Sequence, residues 1–385
     1  MRTSTDRILT THVGSLPRSE AVTKLLLAAE RGEPVDPAEF ERVASEAVVE
    51  ILARQVRTGI DIVSDGETAK IGYATYIKDR LAGFGGESTA KPHLDLRDHP
   101  DLRRRMTAFT GPQTFKRLCC IGPVELKDPA AVERDIARLR AALERAPAAD
   151  AFLNAASPGV VSSFQPNRHY PTHEAYVDAV ARAMRPEYEA IVRAGFVLQV
   201  DCPDLAMSRH TGFQDLSEAD FLRRAQHHVE ALNTALAGIP AESVRMHICW
   251  GNYEGPHDHD IPLERVLPIV LRAKPQGISF EASNPRHAHE WIVWRDAKIP
   301  GEKILIPGAL DSSTNFVEHP ELVAQRICTF ADIVGRERVL AGTDCGFGTF
   351  AGYGKIDPEV AFKKLGSLVE GARLASARLW RRAAA

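Results

Sequence analysis

The chain has 385 residues, a formal net charge of -3 and 26% charged residues, so it lacks the strongly basic balance of a nucleic-acid-binding surface, while its 44% hydrophobic content can fill a large core. No run of eighteen apolar residues occurs, and the first fifteen residues lack a charged segment followed by an apolar one, which predicts neither a membrane span nor a signal peptide and points to the cytoplasm. The six cysteines, at 119, 120, 202, 249, 328 and 345, are scattered, as expected for a reducing compartment where thiols are buried, catalytic or metal-bound.

From the N-terminus onward, short apolar runs alternate with longer amphipathic stretches, the pattern of βα units around a parallel sheet. Strands are expected at 8–15, 61–66, 117–124, 151–157, 196–201, 245–250, 277–283, 303–311 and 338–345. Helices are expected between them, among others at 37–59, 128–146, 172–195, 217–238 and 319–335, several opening on a cap or proline and ending at glycine. That is one strand more than a (β/α)8 barrel takes. The surplus is assigned to 117–124, because the preceding span 83–106 is polar and irregular and reads as an excursion over the barrel mouth, within residues 80–125. The expectation is an α/β protein forming one TIM-barrel domain over 1–385, with 8–15 and 338–345 adjacent and closing it. A doubly wound open sheet is disfavoured, since no G-x-G-x-x-G follows the first strand.

In such barrels the chemistry sits at the C-terminal ends of the strands. Here those ends carry His12 and Ser15, Asp65 and Glu67, Asn154 and Ser157, Asp201, His247 and Cys249, Glu281, Asp311, and Asp344 and Cys345. His247 and Cys249 are two apart on a strand, hence on one face. With Cys345 and Glu281 they form a donor set whose two sulfurs and one nitrogen favour zinc, and three protein ligands with a displaceable fourth describe a catalytic metal site. The remaining histidines and cysteines take blander places. Cys119 and Cys120 are expected as core or surface thiols and Cys328 as core. His227 and His228 are expected on a solvated helix face, and His257 and His259 in a polar surface loop. Cys202 is adjacent to Asp201 and a minor candidate for the site. His287 and His289 suit either the barrel mouth or a helix start.

The segments THVGSLPRS (from residue 11), DIVSDGE, SPGVVSSF, LQVDCPDLA, MHICWGN, ISFEASN and LAGTDCGFGT span nearly the whole chain in order. On these the chain resembles the catalytic barrel of cobalamin-independent methionine synthase and, more widely, the family that joins it with uroporphyrinogen decarboxylase. The resemblance implies a Zn2+ cofactor on His247, Cys249, Glu281 and Cys345, with Glu281 the ligand that yields to substrate. It implies a thiol S-alkyltransferase, most simply a methyltransferase acting on homocysteine or a related thiol. Ser15, Glu67 and Asp201 are then the amino-acid grip, with Glu67 and Asp201 as the catalytic carboxylates, and His12 at the mouth of the same pocket. The partners implied are a small-molecule thiol and an alkyl donor, a methyl-folate or simpler methyl compound, with no nucleic acid and no membrane; the oligomeric state is open, a homo-oligomer included.

Three departures from the family pattern bear on the donor. One barrel accounts for the chain where the long methionine synthases have two, the tryptophan-bearing folate segment is not found, and the fifth strand ends Asp-Cys-Pro-Asp rather than Asp-Glu-Pro. The layout is also similar to the epoxyalkane:coenzyme M transferases, which open an epoxide with a thiol; Arg18, Lys70, Arg168 and Arg209 are the cations available for a sulfonate. A decarboxylase needs no His-x-Cys, and a non-catalytic zinc barrel would not turn over a thiol.

Overall fold

The computed structural model describes residues 1–89, 91–110, 115–354 and 356–381. Eight strands occur among the described residues: β1 (Ile62–Ser64), β2 (Phe84–Gly85), β3 (Cys119–Cys120), β4 (Asp150–Ala156), β5 (Val197–Asp201), β6 (Val244–Ile248), β7 (Gly277–Phe280) and β8 (Ile304–Pro307). Six form one parallel sheet in the order β1-β4-β5-β6-β7-β8. The two remaining staves are bridged segments rather than full strands. Thr10 pairs in parallel with Ala341, Leu305 with Val339 and Gly308 with Gly342. Thr10 also accepts hydrogen bonds from Asp61 and Ile62 at the start of β1, so residues 8–12 and 339–343 join the two edges of the sheet into an (β/α)8 barrel. Both strands expected to close the barrel are therefore neighbours, as the sequence predicted.

The barrel is filled in two layers of different chemistry. Leu9, Ile62, Phe152, Val197, Ile306 and Leu340 form an apolar plug low in the interior. Above it lies Arg245, with no exposed surface. Its guanidinium donates to Gln199 Oε1 (2.7 Å), Thr11 Oγ1 (2.8 Å) and the His12 carbonyl (2.7 Å), and its Cζ sits 3.5 Å over the Phe152 ring. A buried guanidinium is tolerable only when its donors are occupied, and here they tie three staves together. A second, much larger apolar layer lies between the strands and the surrounding helices. The helix ends follow the sequence signals. Asp36 caps Pro37–Thr58 through the Ala38 amide, with Gly59 left-handed at its end, and Thr172 caps His173–Arg193. No helix among the described residues is long and apolar enough to cross a membrane.

The 117–124 segment lies outside the barrel: β3 pairs antiparallel with β2. The expectation of an irregular span before it needs correction, because Leu94–Asp98 and Pro100–Thr110 are helical. The shorter helix is fastened from within. Asp95 has no exposed surface and accepts from Tyr253 Oη (2.5 Å) and the His257 amide (3.1 Å), a tertiary contact that local polarity does not announce.

Candidate active site

Strand register sets the first contact. Asp201 pairs with His247 across β5 and β6, both at C-terminal strand ends. His247 Nδ1 stands 3.8 Å from Asp201 Oδ1, and Nε2 lies 3.0 Å from the Asp344 carbonyl and 3.9 Å from Cys345 Sγ. His247, Cys249 and Cys345 are all buried, with donor atoms within 4.8 Å of one another. The carboxylate of Glu281 joins them: its Oε1 is 3.6 Å from Cys345 Sγ and accepts from the Trp250 amide (2.8 Å), while Oε2 accepts from Asn284 Nδ2 (2.7 Å).

The backbone around these groups is locked by side chains beside them. The Asp344 carboxylate accepts from the amides of Ala282 (2.8 Å), Ser283 (2.9 Å) and Asn284 (2.9 Å), which pins the end of β7 to the segment carrying Cys345. Ser312 Oγ accepts from the Cys345 amide (3.1 Å). Gly346 passes so close to Ser15 that a Cβ there would collide with its Oγ, which accounts for the glycine of the Asp-Cys-Gly run.

The donor chemistry suits a soft cation. Burial holds His247 as a neutral imidazole, lowering its pKa to about 4, the form that ligates. The neighbouring Cys249 thiol, and then burial, push the Cys345 pKa well above the ordinary thiol value, so two thiolates coexist there only with a positive charge between them. Zinc fits this set: sulfur and nitrogen donors, a carboxylate within reach, and an Asp201 carboxylate behind the histidine ring.

A cavity of about 370 Å3 opens from this cluster. Its inner wall holds Ser15, Glu67, Asn154 and Asp201 beside His247, Cys249 and Cys345. Glu67 adopts φ 52°, unusual for a residue with a side chain, and follows the left-handed Gly66. This strained turn aims its carboxylate inward, where Lys70 Nζ is 3.7 Å from an Oε1 that has no hydrogen-bond partner. Asp201 accepts from Asn154 Nδ2 (3.0 Å) and Gln199 Nε2 (2.9 Å). Burial raises Glu67 to about 7 and Asp201 to about 6, each an acid whose ionised form awaits a cation. The outer wall is aromatic: Tyr73, Phe115, Phe164 and Phe350 surround the half-buried Arg117, whose Cζ lies 5.3 Å from the Phe164 ring. Its Nε has no hydrogen-bond partner, and no carboxylate is paired with its guanidinium among the described residues.

Several expectations change here. His12 is not at the pocket mouth: its Nε2 bonds Gln55 Oε1 (2.8 Å) and its Nδ1 accepts from the Gly14 amide (3.1 Å), so both ring nitrogens are spent in the barrel wall. Asp65 accepts from the Glu67 amide (2.9 Å), Asp311 caps its own loop through the Ser313 amide (2.8 Å), and Ser157 caps the helix Pro158–Phe164; none lines the cavity. Cys202 is buried beside Val200 and does not line it either. Nor do the cations available for a sulfonate: Arg18 donates to the Gly348 and Glu67 carbonyls, Lys70 to the Asn154 carbonyl, and Arg168 and Arg209 lie elsewhere. His228 is not solvated but buried against Asp204 (2.9 Å), and His257 is buried rather than on a surface loop, while His259 stays partly exposed beside Asp98 (2.8 Å). Arg117 and Phe115 went unread because the excursion has no periodicity to place them, and Tyr73, Phe164 and Phe350 because nothing in their own segments says that they meet at the mouth. Arg245 was legible, sharing the alternation that put His247 and Cys249 on one face.

Comparison with known proteins extends the resemblance over the whole chain. The family described as "Cobalamin-independent synthase, Catalytic domain" matches residues 8–94. Methionine synthase of Saccharolobus solfataricus is 23% identical over 374 residues, covering 97% of this chain and 96% of that protein. Methionine synthase of Thermococcus kodakarensis is 22% identical over 373 residues, covering 97% and 94%. A B12-independent methionine synthase from Shewanella sp. W3-18-1, solved with selenomethionine, superposes with a TM-score of 0.74 at 22% identity over 97% of this chain and 99% of that one. One from Listeria monocytogenes, described as putative, gives 0.65 at 17% identity. At these identities the structural likeness speaks for the fold.

Proposed function

We propose that this relative of the cobalamin-independent methionine synthases is a single-domain, zinc-dependent thiol S-alkyltransferase that methylates homocysteine or a closely related thiol. The observation that carries the reading is the convergence of His247, Cys249, Cys345 and Glu281 at one end of a cavity whose inner wall presents the buried carboxylates of Glu67 and Asp201. The residues fit zinc, which when bound would lower the pKa of a substrate thiol from about 8.5 and supply a nucleophilic sulfur at neutral pH.

The chain's own groups do the rest. Glu67 and Asp201 hold an ammonium group, each with a carboxylate whose ionised form burial disfavours until the cation arrives. Ser15 lines the same cavity, its hydroxyl packed against Gly346 beside Cys345. Glu281 would be the displaceable fourth ligand, and the Trp250 amide and Asn284 Nδ2 would keep its carboxylate hydrogen-bonded when it is not on the metal. The aromatic wall excludes water from the transfer path. Zinc content together with S-methylation of homocysteine tests the reading; a metal-free protein with full activity would overturn it.

Arg117 favours a second reading, an epoxide-opening thiol transferase. An unpaired guanidinium facing the cavity suits the sulfonate of a thiol such as coenzyme M as well as a carboxylate. Turnover of 2-mercaptoethanesulfonate with an epoxide, and none of homocysteine with a methyl donor, decides for it.

A further inference from the structure

A second cluster of imidazoles and carboxylate is buried in the loops that follow β5, β6 and β7. His257 Nδ1 lies 2.8 Å from Asp260 Oδ2, and His287 Nε2 lies 3.0 Å from the same oxygen. The donor atoms of His257, Asp260 and His287 fall within 4.8 Å of one another. His210, with no exposed surface, brings its Nδ1 to 3.2 Å from Asp260 Oδ1. Neither ring nitrogen of His210 has a hydrogen-bond partner, and neither does that Asp260 oxygen.

The donor count leaves this arrangement incomplete. His257 Nε2 faces the Tyr253 carbonyl (3.0 Å), and His287 Nδ1 faces Glu290 Oε2 (2.8 Å). Both partners only accept, so those nitrogens carry the proton, and a neutral imidazole has one. The two inward nitrogens are then lone pairs directed at a carboxylate lone pair, with His210 idle beside them. Protons alone complete the site only if His257 and His287 are both imidazolium beside the buried carboxylates of Asp260 and Glu290. A divalent cation completes it with every imidazole neutral. The outward contacts to a carbonyl and a carboxylate are the ones that orient metal-bound histidines.

We propose that His210, His257, His287 and Asp260 form a second metal site, for a divalent transition metal of the zinc class. Four protein donors in a buried setting describe a closed, structural site, unlike the one at Cys249. At metal–nitrogen distances of about 2.0 Å, tetrahedral donors stand about 3.3 Å apart, so the contacts of 2.8, 3.0 and 3.2 Å to Asp260 open slightly, while His210, outside the group whose donors lie within 4.8 Å of one another, must swing inward to become the fourth ligand. The site fastens three strand-end loops. Through the Asp95 bonds to Tyr253 and the His257 amide it also anchors the helix Leu94–Asp98 onto the mouth. The His287 ring packs 4.4 Å from Trp250, whose amide holds Glu281, so the clamp supports the first site without sharing a ligand. The inference does not depend on which thiol the enzyme uses.

Cobalt(II) and zinc titrations of the purified full chain test it. Cobalt is expected to saturate at about two equivalents, one showing sulfur-to-metal charge transfer and one lacking it. Cys249→Ser/Cys345→Ser should retain the second equivalent, and His257→Gln/His287→Gln should retain the first. Zinc-edge absorption on the unmutated protein at two equivalents should average one sulfur per zinc. That measurement stands even where a variant fails to fold. Saturation at one equivalent, with two sulfurs per metal, would overturn the second site, as would a well-folded double cysteine variant that binds no metal.

Discussion

Glu67→Gln separates the cost of the cavity's charge from its use. Glu67 is 2% exposed, and burial raises its carboxyl from 4.5 to about 7. A carboxyl raised in the fold stabilises the protein below its unfolded pKa, and that contribution is lost as pH rises through the folded value. Wild-type stability should therefore decline between about pH 4.5 and 7, by about 3 kcal/mol at 1.36 kcal/mol per unit. Glutamine mimics the neutral acid at the same size, so the variant should match wild type at pH 4.5 and exceed it by about 3 kcal/mol at pH 8 in urea unfolding of the ligand-free protein. Homocysteine binding should move the other way. Losing one charge-assisted contact to its ammonium removes about 1.5–3 kcal/mol, a factor of about 10–150 in Kd. 4-Mercaptobutyrate, which has the same thiol and carboxylate but no amine, should change less than about threefold. Calorimetric titration of both thiols at pH 8 reads this directly. Equal weakening of the two thiols refutes the ammonium role, and no gain in stability at pH 8 refutes the strained, desolvated state assigned to Glu67.

Cys249→Ser or Cys345→Ser should lose the sulfur-ligated metal, whereas Glu281→Gln should retain it more tightly than either, as elemental analysis after dialysis against a chelator will show. Arg117→Ala should raise KM for an anionic substrate by about 10–150-fold while the melting temperature stays nearly constant, since no protein acceptor loses a partner. Arg245→Met should destabilise by about 3–5 kcal/mol in urea unfolding, because it strands Gln199 Oε1 and the His12 carbonyl inside the barrel.

The sequence alone determined the features that repeat along the chain or turn on covalent donor type. Alternating βα pattern predicted the barrel and its closing pair, and side-chain alternation put His247 and Cys249 on one face, because strand period and ligand chemistry are local. The excursion strand was placed correctly by the polarity of what precedes it. Tertiary structure alone decided which polar strand ends meet. Asp65 and Asp311 carry the same carboxylate chemistry as Glu67 and Asp201, yet they cap their own loops, and Ser157 caps its own helix, while the φ of 52° at Glu67 turns its carboxylate into the cavity. His12 was lost to the wall by Gln55, forty-three positions away, and His228 and His257 were buried by partners that no periodicity of their own segments encodes. Arg117 became a cavity residue because an aperiodic excursion folds back over the mouth and leaves its guanidinium unpaired there. A side chain's character is written in the chain, but burial and partner are set by long-range packing, and these decide whether a carboxylate caps a turn or waits for a substrate.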